Sequence, residues 1–242
     1  MAKGLRFGYI LSCYHHCDWV PQCLDSIKKQ TYTNWIVVLY ADSPDCKDHM
    51  DTHPRISFVN DGKNLGQTRR INMGIEDLIN SGCDYISFMG VDDYLFNDNV
   101  LMDVQASIKH WQIKHDELPV WAYGGHFYEK VDKPGLHFAK QFEYDPKRLR
   151  WENYIAGGAV FVRADVIDKL KLFAIMNIGG DWILFNKLAK IADPLLLHIP
   201  IYVETIGVSN YRPWMNNPHS IKNKLIRKFK MGVLREYVRW FV

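Results

Sequence analysis

Apolar residues in the first hundred positions fall into short dense runs, and each run stops at a polar or aromatic residue. RFGYILSCY (6–14), NWIVVLYAD (34–42), the short RISFVND (55–61) and CDYISFMGVDD (83–93) predict four strands, the second almost continuously apolar as a strand buried on both faces would be. Between them, WVPQCLDSIKKQ carries helical spacing through Val20, Leu24 and Ile27, and QTRRINMGIEDLINSG through Ile71, Ile75, Leu78 and Ile79, with Gly82 as the stop. The second half is less regular. VWAYGGHFYEK predicts a strand, WENYIAGGAVFVRADVIDKLKLF a turn, strand and helix, IGGDWILFNKLAKIAD a loop entering a helix, and LLLHIPIYVETIGV a further strand. From Ser220 the pattern changes to a basic amphipathic helix. Ile221, Leu225, Phe229, Val233, Tyr237 and Trp240 fall near one face, and Lys222, Lys224, Arg227, Lys228, Lys230, Arg235 and Arg239 lie mostly elsewhere.

Strand–helix alternation of this kind predicts an α/β fold with a doubly wound, mostly parallel sheet and right-handed crossovers. Ligands in such sheets bind beyond the carboxyl ends of the strands, here Cys13–Tyr14, Asp42 and Asp92–Asp93. No linker, low-complexity tract or repeat divides the chain, which predicts one domain over 1–219 followed by the helix 220–242.

Composition narrows the class. At 242 residues, 48% hydrophobic and 24% charged, the chain can fill a substantial core. A net charge of +3 does not by itself indicate a nucleic-acid partner. Five cysteines without a C-x-x-C pair are most simply reduced thiols in a cytoplasmic protein, and the group Cys13, His15, His16, Cys17 and Cys23 fits no common zinc spacing. Lys3 and Arg6 ahead of FGYIL imitate a signal peptide. The apolar part ends at His15 and His16, too short for one, so a buried first strand is expected. No run approaches the ~20 apolar residues of a membrane span.

The polar strand ends suggest nucleotide-sugar chemistry. A diphosphate leaving group needs a divalent cation, and hard cations take carboxylate oxygens such as those of Asp92 and Asp93. Asp42 is a candidate acceptor for uracil N3–H, although Asp42 followed by Ser43 and Pro44 also suits a simple Asx turn. Tyr14 is a candidate to stack on the base or to pack in the core. Arg69 and Arg70 are candidates for the phosphates or ordinary helix residues. Asp181, in GGDW, is a candidate general base and also a good N-cap for the helix that follows.

Five stretches together resemble the family-2 glycosyltransferases of the GT-A fold. They are LSCYHHCDWVPQCLDSIKKQTYTNWIVVLYADSPD, NLGQTRRINMGI, the D-x-D-like GVDDYLF, the acceptor-side WENYIAGGAVFVRADVI, and GGDWILFNKLA, in that order over about Phe7 to Leu188. The resemblance implies a GT-A Rossmann-like domain and a metal-dependent, inverting transfer from a UDP-sugar. Asp92 and Asp93 would hold Mn²⁺ or Mg²⁺, with Asp92 also near the donor, and Asp181 would take the acceptor proton. The sequence departs from the family's pattern at Ala41, where a first acid is frequent, at Ile71, where an arginine is frequent, and at Gly180, which replaces a frequent glutamate. Trp214 follows YRP where a histidine is often found, leaving His219 as a substitute third metal ligand.

The acceptor is open at this level. A glycan or lipid-linked acceptor would suit a basic helix lying on an anionic membrane surface at the inner face. A hydroxymethylated base in DNA would suit the same helix as a phosphate contact, with the target base flipped out. A non-catalytic nucleotide-sugar binding module is the alternative from another class. Oligomeric state is not legible.

Overall fold

The computed structural model of the chain describes residues 4–14, 17–43, 46, 52–171, 180–206 and 231–232. Strand β1 (Phe7–Cys13) is buried on both faces, as the uninterrupted apolar run requires. Its alternation sends Phe7, Tyr9, Leu11 and Cys13 into one hydrophobic cluster and Ile10 into the other. Strand β2 (Trp35–Ala41) repeats the pattern, with Trp35, Val37 and Leu39 on the first side and Val38 and Tyr40 on the second. Strand β1 runs parallel to β2 on one side and β4 (Tyr85–Gly90) on the other, and β3 (Ile56–Val59) extends the sheet beyond β2.

Helices α1 (Val20–Lys28) and α3 (Val100–His115) fill the first cluster, and α2 (Gln67–Asn80) fills the second. Helices α5 (Ala164–Leu170) and α6 (Gly180–Ala189) join α2 there, so the sheet is covered on both faces. This is the doubly wound α/β arrangement that the alternation predicts.

The remaining strands are β5 (Tyr94–Leu95), β6 (Trp121–Lys130), β7 (Lys133–Phe138), β8 (Val160–Arg163) and β9 (Leu195–Ile206). The sheet order is β3-β2-β1-β4-β8-β6-β9-β5, with β7 paired to β6. Strand β8 is antiparallel to both β4 and β6, whereas β6 and β9 are parallel. The first half of the sheet is therefore purely parallel and the second half mixed. A short helix, α4 (Pro146–Leu149), is capped by the Asp145 carboxylate, which accepts from the N–H groups of Lys147 and Arg148.

Three findings differ from the sequence expectations. Helix α3 is absent from them because its apolar residues do not form one stripe: Val100, Leu101, Val104 and Ile108 are buried, while Met102 and Ile113 face solvent. Strands β5 and β7 are short or solvent-exposed, and Leu136 and Phe138 on β7 are both exposed. The cysteines are not all thiols. Cys17 is bonded to Cys46, and Cys13, Cys23 and Cys83 are buried outside that disulfide. Parallel pairing of β1 with β2 explains the bond, because the segments that follow two neighbouring parallel strands emerge side by side.

No helix among the described residues is long and apolar enough to cross a membrane. The basic helix expected over 220–242, together with His15, His16, Pro44, Trp214 and His219, lies outside the described residues apart from 231–232.

Candidate active site

Strand register brings the candidate residues to one edge. Cys13 is level with Ala41 across β1 and β2, and Ser12 is level with both Tyr40 and Gly90. Tyr14, Asp42 and the Asp92–Asp93 pair each follow one of these level positions within one to three residues, so they gather at the carboxyl end of the parallel strands. Tyr14 is 40% exposed, which leaves its ring accessible from that edge.

Asp42 is nearly buried, and its carboxylate organises the base of the site. One oxygen accepts from Arg70 Nε at 2.5 Å, and the other from the backbone N–H groups of Leu65 and Gly66, both at 3.1 Å. A carboxylate has roughly four acceptor positions, so three contacts leave about one.

The Arg70 side chain is buried between acids. Its Nη2 donates to Asp61 at 2.6 Å and to the Lys63 carbonyl at 2.7 Å, and its Nη1 reaches Asp61 at 3.3 Å. Burial works against its charge, but the hydrogen bonds to Asp61 and Asp42 outweigh it, and the guanidinium titrates above its ordinary value. The same hydrogen bond from Arg70 holds the Asp61 carboxyl down to about 2. Arg70 has thus committed most of its donors to protein groups, while Arg69, one position earlier on α2, faces solvent.

Asp92 and Asp93 follow Gly90, the last residue of β4, through buried Val91. The Asp92 carboxylate folds back over Gly90 so closely that a Cβ there would collide with it, and Asp93 Oδ2 lies 3.7 Å from the same point. A side chain at this position would require the Asp92 carboxylate to turn away. The other Asp93 oxygen accepts from the Thr205 N–H on β9 at 3.1 Å, fixing that carboxylate against the second half of the sheet. The charge of the pair is felt below it: the Cys23 thiol is pushed well above its ordinary value, by burial first and then by Asp93 and Asp92. Two close carboxylates that expose part of their surface fit a Mg²⁺ or Mn²⁺ site completed by substrate phosphates rather than by further protein ligands.

Asp181 lies in the first turn of α6. One oxygen accepts from Asn153 Nδ2 at 3.0 Å. The same oxygen would be 3.7 Å from a Cβ on Gly157, a position that also adjoins Phe88 of β4 at 3.3 Å. Asp181 therefore stands beside the strand that carries the acid pair. Its neighbour Trp182 is core: the ring is buried and its Nε1 donates to the Leu149 carbonyl.

Asn153, Asp61 and Thr205 were not among the residues expected from sequence. Asn153 lies inside the WENYIAGG stretch, but nothing in its spacing points to Asp181. Asp61 is a loop acid until α2 brings Arg70 to it, and Thr205 contributes a backbone N–H, which no side-chain pattern reveals.

A sequence profile described as glycosyl transferase family 2 matches residues 9–170. Glycosyltransferase GlyA of Streptococcus pneumoniae is 25% identical over 79% of this chain, which spans 29% of that protein's length. A PGL/p-HBAD biosynthesis glycosyltransferase of Mycobacterium bovis is also 25% identical, over 84% of this chain and 79% of its own length. Among solved structures, S. aureus TarS 1–349 in complex with UDP-GlcNAc superposes with a TM-score of 0.66 at 15% identity, covering 86% of this chain and 60% of that one. The mannosyltransferase PcManGT from Pyrobaculum calidifontis, in complex with GDP-Man and Mn²⁺, gives a TM-score of 0.59 at 16% identity, over 99% of this chain and 71% of its own. At these identities the structural likeness concerns the fold.

Proposed function

The chain belongs to glycosyl transferase family 2, and we propose that it moves a sugar from a UDP-sugar to a hydroxyl of a glycan or lipid-linked acceptor with inversion. The observation that carries the reading is the convergence of two chemistries on β4. The Asp92–Asp93 pair folds over Gly90, and Asp181, held by Asn153, adjoins Phe88 across Gly157.

In this reading the uracil N3–H takes the remaining acceptor position of Asp42, and Tyr14 stacks on the base. Arg69, the exposed member of the arginine pair, meets the diphosphate, while Arg70 shapes the Asp42 carboxylate. Asp92 and Asp93 are the residues that would hold Mn²⁺ or Mg²⁺. The ion, when bound, neutralises charge developing on the leaving diphosphate. Asp181 takes the proton from the acceptor hydroxyl as its oxygen attacks the anomeric carbon. Asn153 orients that carboxylate and stabilises its charged form, so it is a positioning residue.

Support for the donor comes from the UDP-GlcNAc complex of TarS, and for the metal from the Mn²⁺ complex of PcManGT. Relatives named for PGL/p-HBAD biosynthesis favour a glycan or lipid-linked acceptor over a base in DNA.

A donor-hydrolysis panel of UDP-glucose, UDP-galactose, UDP-GlcNAc and GDP-mannose, each with Mn²⁺ and with EDTA, tests the proposal. Metal-dependent release of UDP is expected. Preference for GDP-mannose would overturn the nucleotide assignment, and nucleotide binding without turnover on any acceptor would favour a binding module.

A further inference from the structure

Residues 202–205 of β9 run between the two chemistries of the site. The Thr205 N–H holds Asp93, and the Tyr202 ring lies 3.0 Å from where a Cβ on Gly158 would stand. The neighbouring Gly157 adjoins Asp181, its Cβ position 3.7 Å from the carboxylate. This stretch of β9 therefore reaches from the acid pair toward the candidate base.

Register and alternation decide which side chains it presents. His126 of β6 is level with Tyr202 and Tyr128 is level with Glu204, so the four share one face of the sheet. Phe127, on the opposite face, stacks on Phe96, which packs against the cluster that α1 and α3 fill. The His126 face is thus turned to the side that α6 covers, where Asp181 lies. On it the His126 imidazole stacks on Tyr202 at 5.3 Å between centroids, and Tyr128 stacks on His137 of β7 at 5.2 Å. Tyr202 is buried, whereas the His126 and Glu204 side chains are 20% and 36% exposed, so this pair is the accessible part of an aromatic floor.

His126 Nε2 and Glu204 Oε2 are 3.7 Å apart. That is beyond a direct hydrogen bond, but a hydroxyl oxygen about 2.8 Å from each would accept from the imidazole and donate to the carboxylate. Burial holds the imidazole below its ordinary value, which keeps it neutral near pH 7 with one nitrogen able to donate. Rings beside a pair that a hydroxyl can bridge match a pyranose, with its apolar C–H face and hydroxyl rim. The Glu204 carboxylate disfavours an anionic group at the same place.

We propose that His126, Tyr128, Tyr202 and Glu204 form the acceptor subsite and select a neutral pyranose over a uronate or a phosphodiester. One acceptor hydroxyl bridges His126 and Glu204, the C–H face of the ring packs on Tyr128, and another hydroxyl is left for Asp181. The inference deepens the proposed transfer and rests on it.

The test titrates the full chain, with UDP and Mn²⁺, by saturation-transfer NMR. The probes are methyl glucoside, galactoside and mannoside, the uronide counterpart of each, and octyl glucoside. A neutral methyl glycoside should bind about tenfold more tightly than its uronide. E204Q keeps the shape and removes the charge, so it should weaken the neutral glycoside about tenfold and close most of the gap to the uronide. H126F keeps a ring on Tyr202 but lacks the donor, and should cost about fivefold. A merely structural role would weaken both members of a pair together. In transfer assays at saturating donor, both variants should raise acceptor KM more than they lower kcat. Binding of octyl glucoside alone would overturn the proposal, because the alkyl chain would then carry recognition. So would an unchanged neutral-to-uronide ratio in E204Q, or a single-stranded oligonucleotide that outcompetes every neutral glycoside. Absence of both UDP binding and donor hydrolysis would instead count against the proposed transfer, with the glycoside titration repeated without UDP still deciding the subsite.

Discussion

Asn153 Nδ2 donates to Asp181 Oδ2 across 3.0 Å, joining the loop after α4 to the first turn of α6. A hydrogen bond to the charged form of a carboxylate favours that form. Asp181→Asn keeps the side-chain volume but cannot accept a proton, so transfer should fall by on the order of 100-fold or more while UDP still binds. Asn153→Ala should lower kcat by about tenfold and move the acidic limb of the pH–rate profile upward, because the Asp181 carboxylate loses a donor. A variant with reduced kcat and an unmoved acidic limb would assign Asn153 a packing role only.

Removing either acid of the β4 pair separates their tasks. Asp93→Ala should abolish the metal dependence of UDP binding, read by calorimetry with and without Mn²⁺, and should also free the Thr205 N–H. Asp92→Ala should weaken donor binding while leaving that β9 contact. Gly90→Ala should resemble the Asp92 variant in part, since a Cβ there displaces the Asp92 carboxylate and leaves Asp93 in ordinary contact. Full turnover of the wild type in EDTA would exclude the pair as a metal site.

The two arginines should part on stability. Arg70→Met leaves Asp42 buried beside an apolar side chain and strips Asp61 of its partner, a change expected to cost about 3 kcal/mol in urea unfolding. Arg69→Ala, on the exposed side of α2, should leave the unfolding midpoint within error and weaken UDP binding. Stable folding of Arg70→Met with intact UDP affinity would contradict the role given to the Asp42–Arg70 pair.

Acid titration should report Asp61. Its carboxyl, held by Arg70, titrates at about 2 in the folded chain, below the ordinary carboxylate range. The stabilisation is complete above the unfolded-state value near 4 and is lost as pH falls from about 4 through about 2. Asp61→Asn should flatten the pH dependence of stability in that window and leave it unchanged near neutrality, as followed by thermal melts at stepped pH.

The parallel half of the fold was legible in the sequence because its physics is local. Strands buried on both faces must be continuously apolar and helices covering a sheet must show a stripe, and the position of Tyr14, Asp42 and Asp92–Asp93 at the ends of those strands followed from that. Helix α3 escaped because apolar residues on its exposed side blur the stripe, and β5 and β7 because short or solvent-facing strands have no burial signature. The roles of Arg70, Asn153 and Thr205 could not be read at all. Sequence spacing leaves Arg69 and Arg70 equivalent; the rotation of α2 against the sheet buries one among acids and exposes the other. Asn153 meets Asp181 only because the loop after α4 packs against the start of α6. The Cys17–Cys46 bond exists only because β1 and β2 are neighbours. Local pattern determines which segments become elements and where their ends fall, but contacts between residues distant in the chain depend on how those elements pack, which no single segment encodes.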